Sequence, residues 1–259
     1  PSSTGLLGVT PYGNIGRVKS HGVDLSAVYN KQFGKDWSLS LRGTFTFSRN
    51  EVVEKDEGDL MYDYMSVVGH PVNAITGVLV ADGLFTSQEE IDTSPRQLFD
   101  DEVQVGDLKY ADLNNDGLID SNDTRVIGNT TPKVNYSVSI NLRYRNFDLT
   151  IVGTGRAGFD TALTNSWYWN GWGTDNYSTF VRDNIGGDYP RLAYVKSNNN
   201  FQNSSFWLRD GGYFKIQNVE LGYNLRFRSQ SVFKGLRVFL RGANLCTISG
   251  IKDVDPENI

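Results

Sequence analysis

The twelve residues DLNNDGLIDSND, from Asp112 to Asp123, carry oxygen-bearing side chains at positions one, three, five, nine and twelve and a glycine at position six. Asp112, Asn114 and Asp116 supply the first three, the Leu118 carbonyl stands at position seven, and Asp120 and Asp123 follow. A hard cation such as calcium takes roughly six to eight oxygens, and this is the spacing of an EF-hand loop. Asp123 replaces the bidentate glutamate that usually closes such a loop, so its arm is shorter. No amphipathic helices flank the stretch, and calcium here would be a structural staple and not a sensor. The competing reading is a solvated turn in which Asp and Asn bond to their own backbone and Gly117 takes a positive φ.

A second cluster is aromatic. SWYWNGWG packs Trp167, Tyr168, Trp169 and Trp172 into a long polar connection, where exposed rings could stack on sugars or on peptide side chains of a captured ligand. A loop mini-core or a contact with a partner protein explains the same residues. Reaction chemistry finds less support. The acidic neighbours Glu89 with Glu90 and Asp100 with Asp101 do not face one another as a glycosidase pair must. Cys246 stands alone and His21 and His70 lie far apart, which leaves neither a cysteine metal site nor a histidine-centred triad. GTGRAG (Gly153 to Gly158) matches a dinucleotide pattern, but no βαβ unit surrounds it, and glycines that let a strand bend are the simpler account. We expect no enzyme. A net charge of −5 gives no basic footprint for nucleic acid.

The elements that would hold these residues are strands. WSLSLRGTFTFS puts Trp37, Leu39, Leu41, Phe45 and Phe47 on one face and Ser38, Ser40, Arg42, Thr44 and Thr46 on the other. VNYSVSINLRYR repeats the alternation from Val134 to Arg145, and GVDLSAVYN, FDLTIVGTG and GLRVFLRGANL continue it. In YFKIQNVELGYNL the apolar phase slips between Ile216 and Val219, predicting a bulge near Gln217 or Asn218. Weaker strands fit Met61 to Val67 and Asn73 to Ala81, for about eight in all. Arg42, Arg143, Arg145 and Arg241 fall on the polar faces, where a charge ladder is expected. A short helix over Gln88 to Ile91 has Ser87 as N-cap and Glu90 in capping-box position.

Connections at 30–36, 67–73, 145–146 and 226–235 are short, and those at 49–60, 82–132 and 155–212 are long. Short and long alternate. An up-and-down membrane barrel requires that parity, with short periplasmic turns and long outer loops, whereas a Greek-key sandwich does not. The expectation is an all-β, antiparallel, up-and-down transmembrane β-barrel segment, apolar toward lipid and polar toward a lumen. A soluble up-and-down barrel or sandwich with its oily face inside is the other reading the pattern allows. No segment reaches the roughly 20 apolar residues of a membrane helix, and PSSTGLLGVTPYGN has no signal-peptide pattern, which suggests a start partway through a longer precursor.

Several stretches resemble the C-terminal part of the SusC/RagA family of TonB-dependent outer-membrane transporters. They are GHPVNAITGVLVADGLFTSQEEID (Gly69 to Asp92), GDLKYADLNNDGLIDSND with the following IGNTTPK and its hairpin, YPRL (Tyr189 to Leu192), SSFWLRDGGYFKIQNVELGYNL and LRVFLRGANLCTISG. The ordered agreement covers nearly all of residues 16–256. The resemblance implies a bacterial outer-membrane importer of oligosaccharides or peptides, working with a SusD-like surface lipoprotein over its outer loops and with the TonB complex through a plug domain. The family's plug and its final strand are not seen in these residues, so the chain is expected to be one portion of a larger, 22-stranded barrel, with outer loops over 83–132 and 155–212. The contrasting reading is a soluble, calcium-stapled β-domain binding glycans at the cell surface.

Overall fold

The computed structural model describes residues 15–99, 102–163, 188–191, 198–227, 235–251 and 255–257. Two long antiparallel strands come first, β1 (Gly16–Phe33) and β2 (Trp37–Lys55). The connection 56–133 carries β3 (Ile75–Leu79), β4 (Ala81–Leu84), the helix α1 (Gln88–Thr93), β5 (Arg96–Gln97), β6 (Leu108–Tyr110), β7 (Leu118–Ile119) and β8 (Thr124–Ile127). The hairpin β9 (Val134–Tyr144) and β10 (Phe147–Ala157) follows. The next connection carries β11 (Asp160–Ala162) and β12 (Leu208–Asp210), before the final pair β13 (Tyr213–Arg226) and β14 (Gly235–Ser249).

Six of these strands form one sheet in the order β1-β2-β9-β10-β13-β14, every pair antiparallel. The sheet is open, with β1 and β14 at its edges. The alternation that makes each strand also sets the register, because a one-residue slip would turn every side chain to the wrong face. Leu25 pairs with Phe45, Phe45 with Tyr136, Leu41 with Ile140, Ile140 with Ile151, Ile151 with Val219 and Leu221 with Leu240. One apolar face therefore runs unbroken across all six strands. Nothing among the described residues covers it: Leu25 stays 60% exposed and Leu240 77%.

The band has the height of a bilayer core. From Trp37 to Phe47 there are ten residue steps of about 3.4 Å, and at the roughly 40° tilt of barrel strands this rises about 25 Å. Aromatic rings mark the end at the short turns, where Trp37 lies against Tyr144 at 4.2 Å and Phe147 against Tyr223 at 4.6 Å between ring centroids. The predicted bulge is present, with the β13 registers against β10 and β14 both shifting between Ile216 and Asn218. It keeps Phe214 and Ile216 on the same face as Val219 and Leu221.

Two expected wall strands are not in the wall, which among the described residues has six strands and not eight. Met61 to Val67 contains only a 3-10 turn at Asp63–Met65. In Asn73 to Ala81, β3 pairs with β8 inside the outer connection. Residues 67–73 are thus no periplasmic turn. They hydrogen-bond to the top of β2, through Val52 N to the His70 carbonyl at 2.9 Å and Gly69 N to the Val52 carbonyl at 2.8 Å. The outer connection is a single unit from 56 to 133.

Glycines of GTGRAG serve packing more than bending. A Cβ on Gly153 or Gly155 would overlap Phe214 or Tyr136, whose rings stack at 6.0 Å and 3° over this part of β10. Gly158, just past the strand, takes φ +73.

Candidate functional site

The outer connections fold into one small unit above the wall. Leu79, Leu108, Tyr110, Ile119, Leu163 and Trp207 form its core, drawn from both long connections. Short ladders frame it, with β4 against β6, β3 against β8, β5 parallel to β7 and β11 against β12. Helix α1 starts where expected, Ser87 accepting from Glu90 N at 3.2 Å. The Glu90 carboxylate does not return to Ser87 but accepts from Thr86 N at 2.9 Å and from Lys109 Nζ at 2.8 Å. Those bonds, the Lys109 ammonium foremost, hold its carboxyl below the usual carboxylate range, at about 2.

Buried amides lock the two connections together. Gln97 Nε2 donates to the Asn199 Oδ1 at 2.6 Å and to the Leu108 carbonyl at 2.9 Å, while its Oε1 accepts from Tyr110 N at 2.8 Å. Asn200 Oδ1 accepts from Leu108 N at 2.8 Å, and Asn200 Nδ2 donates to Asp107 Oδ1 at 2.7 Å. Asp107, fully buried, is paired with Arg191 Nε at 2.7 Å. Burial pushes the Tyr110 phenol well up, and its hydroxyl donates to the Asn199 carbonyl at 2.6 Å. Sequence reasoning passed over these residues, because SNNNFQNSS has the composition of a solvated loop. The signal that could have found them is the flanking YPRL and SSFW, apolar anchors in a polar run.

The DLNNDGLIDSND loop lies in the same unit, held by β7 against β5 and by β8 against β3. Asp112 accepts from Asn115 N at 2.6 Å and Gly117 N at 2.9 Å, Asn114 Oδ1 from Asp116 N at 2.9 Å, and Asp116 Oδ1 from Leu118 N at 2.8 Å. Asp120 Oδ1 accepts from Asn122 N at 2.7 Å. Asp123 is fully buried and accepts from Leu113 N at 2.8 Å and Asp120 N at 2.9 Å. Asn115 and Gly117 take positive φ, 61° and 84°. In this geometry the acidic side chains cap their own loop, and among the described residues no three carboxylate, imidazole or thiol groups converge as a metal site. Yet the donors are hard oxygens, and among the described residues no lysine or arginine pairs with Asp112, Asp116, Asp120 or Asp123. Burial, and then the charges of Asp123, Tyr62, Asp112 and Asp116, push up the nearby Tyr64 phenol, whose hydroxyl donates to the Asn122 carbonyl at 2.6 Å. The donor set and its uncompensated charge fit a hard cation.

The polar face of the wall carries hydrogen-bonded pairs and one ionic cluster. Thr44 bonds Ser137 at 2.6 Å and Thr150 Oγ1 donates to Asn141 Oδ1 at 2.9 Å. Arg237 reaches Asp148 at 2.5 Å and Glu220 at 2.6 Å, and Glu220 also pairs with Arg241 at 2.5 Å. Of the arginines expected in a charge ladder, Arg241 joins this one. Arg145 pairs instead with Asp36 across the short turns at 3.2 Å, and Arg42 and Arg143 have no carboxylate in ion-pair reach among the described residues. Nearer the outer rim, Lys215 is buried beneath Asp255 and Glu257, at 2.9 and 2.6 Å. Trp167, Tyr168, Trp169 and Trp172 lie outside the described residues.

The chain matches two curated proteins of Formosa agariphila. It is 25% identical to TonB-dependent receptor P3 over 274 residues, and 28% identical to TonB-dependent receptor P26 over 264 residues. Each match covers 94% of this chain but 26% of the relative, so the chain spans about a quarter of the length of the curated relatives it matches. No family model matches it. Among solved structures, the RagAB peptide transporter superposes with a TM-score of 0.71 at 19% identity, and the RagAB peptide importer in its open-open state with 0.69 at 21%. Both superpositions cover 99% of this chain and 28% of the other, and they show a common fold. These relatives are receptors and transporters, not enzymes. An antiparallel wall greasy on one side and charged on the other, with a folded outer unit, is thus similar in sequence to a quarter-length stretch of TonB-dependent receptors and shares the fold of the corresponding part of the RagAB structures.

Proposed function

We propose that this chain builds part of the wall and outer rim of an active importer in a bacterial outer membrane. The observation that carries the reading is the unbroken apolar face, about 25 Å tall, backed by a hydrogen-bonded polar face. Lipid would cover the first and a water-filled lumen the second. Transport on this reading is binding and gated passage without covalent chemistry, with energy delivered by the TonB complex through a plug domain.

The cargo class we propose is oligosaccharides or peptides. Peptides gain some favour because the superposed structures are described as a peptide importer. A SusD-like lipoprotein is the proposed partner over the outer loops, and the locking of both loops into one unit by Gln97, Asn199 and Asn200 supports a firm seat for it. Trp167, Tyr168, Trp169 and Trp172 are the proposed cargo contacts. Calcium is proposed as a structural staple held by Asp112, Asn114, Asp116, the Leu118 carbonyl, Asp120 and Asp123. Bound there it would offset two of the four carboxylate charges; the residues themselves order the turn and carry no step of transport.

Fractionation tests the reading. The full-length protein should stay with the outer membrane and require detergent for release, and cells lacking it should lose uptake of the cargo. Free purification in buffer would favour the soluble glycan-binding alternative. Unchanged uptake by a Trp169→Ala, Trp172→Ala double variant would remove the aromatic cargo contact.

A further inference from the structure

We infer that the first basic rung above the apolar band, Arg49 of β2 beside His21 of β1 with Lys19 beyond them, grips the phosphate of an outer-leaflet lipid headgroup. The inference rests on the membrane-wall reading and adds a ligand to the wall's outward surface. Register fixes the position. On the outward face the pairs climb from Phe33 with Trp37 to Leu25 with Phe45 and Val23 with Phe47, and the next pair on that face is His21 with Arg49. Lys19 opposite Glu51 comes after it. The basic rung therefore begins one step above the last apolar one, at the level where headgroups replace hydrocarbon.

The charges there are unspent. Arg49, His21 and Lys19 are exposed. Among the described residues neither Arg49 nor Lys19 has a carboxylate within ion-pair distance, and Glu51 faces Lys19 without pairing; Arg17, higher on the same edge, is engaged by Glu54 at 3.6 Å. A guanidinium fork matches phosphate oxygens two at a time, and a lysine adds a point charge. Immediately below, the His21 ring lies 6.5 Å from that of Phe47, with Phe45 and Tyr136 completing an aromatic surface on which acyl chains can lie. An acyl chain under a phosphate fits this sequence of surfaces; a soluble anion uses only its top. The opposite end of the outward face differs: Phe33, Trp37, Tyr144, Phe147 and Tyr223 form the rim, the Arg145 guanidinium over the Tyr144 ring is already paired with Asp36, and Lys31 has a long stem that can reach the inner interface. The cationic rung therefore belongs to the outer leaflet.

Native mass spectrometry of the full-length protein tests this, released from phosphatidylcholine nanodiscs doped with phosphatidic acid. The wild type should retain phosphatidic acid, and an Arg49→Gln, His21→Gln double variant should retain roughly tenfold less, the order of one lost charge-assisted contact. Lys19→Gln, one rung farther out, gives a second and smaller loss if the double variant inserts poorly. Arg42→Gln removes a cation from the lumen face of the same strand and should retain as much as wild type. Equal retention by wild type and the Arg49 variants, or a loss as large in Arg42→Gln, overturns the proposal, as does release of the lipid by millimolar inorganic phosphate. Failure of the wild type to enter nanodiscs at all refutes the wall reading instead, which separates the two.

Discussion

Gln97 and Asn199, 102 positions apart, share a buried hydrogen bond of 2.6 Å. It joins the two long outer connections at their common core, with the Leu108 carbonyl accepting from both side chains. Replacing Asn199 by Ala strips partners from Gln97 and Leu108 in a dry site, and a buried polar group left unpaired costs about 1–3 kcal/mol. Limited proteolysis of the outer loops on intact cells should accelerate accordingly, while the barrel itself stays protected. Unchanged cleavage would show that the loops are held together elsewhere.

Gly155 faces Tyr136 so closely that any side chain must displace the ring. Gly155→Ala should separate the Tyr136–Phe214 stack and weaken the Tyr136 hydroxyl's bond to the Tyr213 carbonyl, now 3.3 Å. Overpacking of this kind costs about 1–3 kcal/mol. A lower midpoint in urea-driven unfolding from lipid vesicles checks it; Gly43→Ala, which meets nothing within 4 Å, should be close to neutral.

The Glu90–Lys109 contact makes the outer unit sensitive to acid. Glu90 titrates at about 2 in the folded protein against an ordinary 4.5, a depressed value, so its contribution is complete above about 4.5 and fades as pH falls toward 2. Hydrogen exchange over residues 86–94, corrected for intrinsic rates, should show protection declining across that window. Lys109→Met should bring the decline up toward the ordinary carboxylate range.

Calcium, if it staples the loop, must be felt by Asp116. Calorimetry on the full-length protein should register calcium heat that Asp116→Ala abolishes, and bound ion should raise the midpoint for loop unfolding with the logarithm of its excess over Kd. No heat from the wild type, or equal heat from both, dismisses the site and leaves the self-capped turn.

What could be read from the chain, and what could not, follows from the physics of each segment. Wall strands announce themselves because one face must be apolar over the whole bilayer, and the slip at Ile216 to Val219 exposed the bulge for the same reason. Asn73 to Ala81 misled because alternation reports that a face is buried, not against what. Val78 and Leu79 are buried in the loop unit's own small core. Asn199 and Asn200 were illegible because an amide's burial depends on partners about 90 to 100 residues away. The calcium pattern was plain in sequence, but the same oxygens cap the backbone in the structure.

The central claim is that Val138 looks into hydrocarbon and its neighbour Ser139 into water. Spin labels at single cysteines replacing either residue, in full-length protein with Cys246 changed to Ser and reconstituted in vesicles, measure this through collisions with oxygen and with a water-soluble nickel complex. The account predicts high oxygen and low nickel access at 138 and the reverse at 139, alternating along β9. Equal protection of both positions from both reagents, as in a compact soluble core, would contradict it.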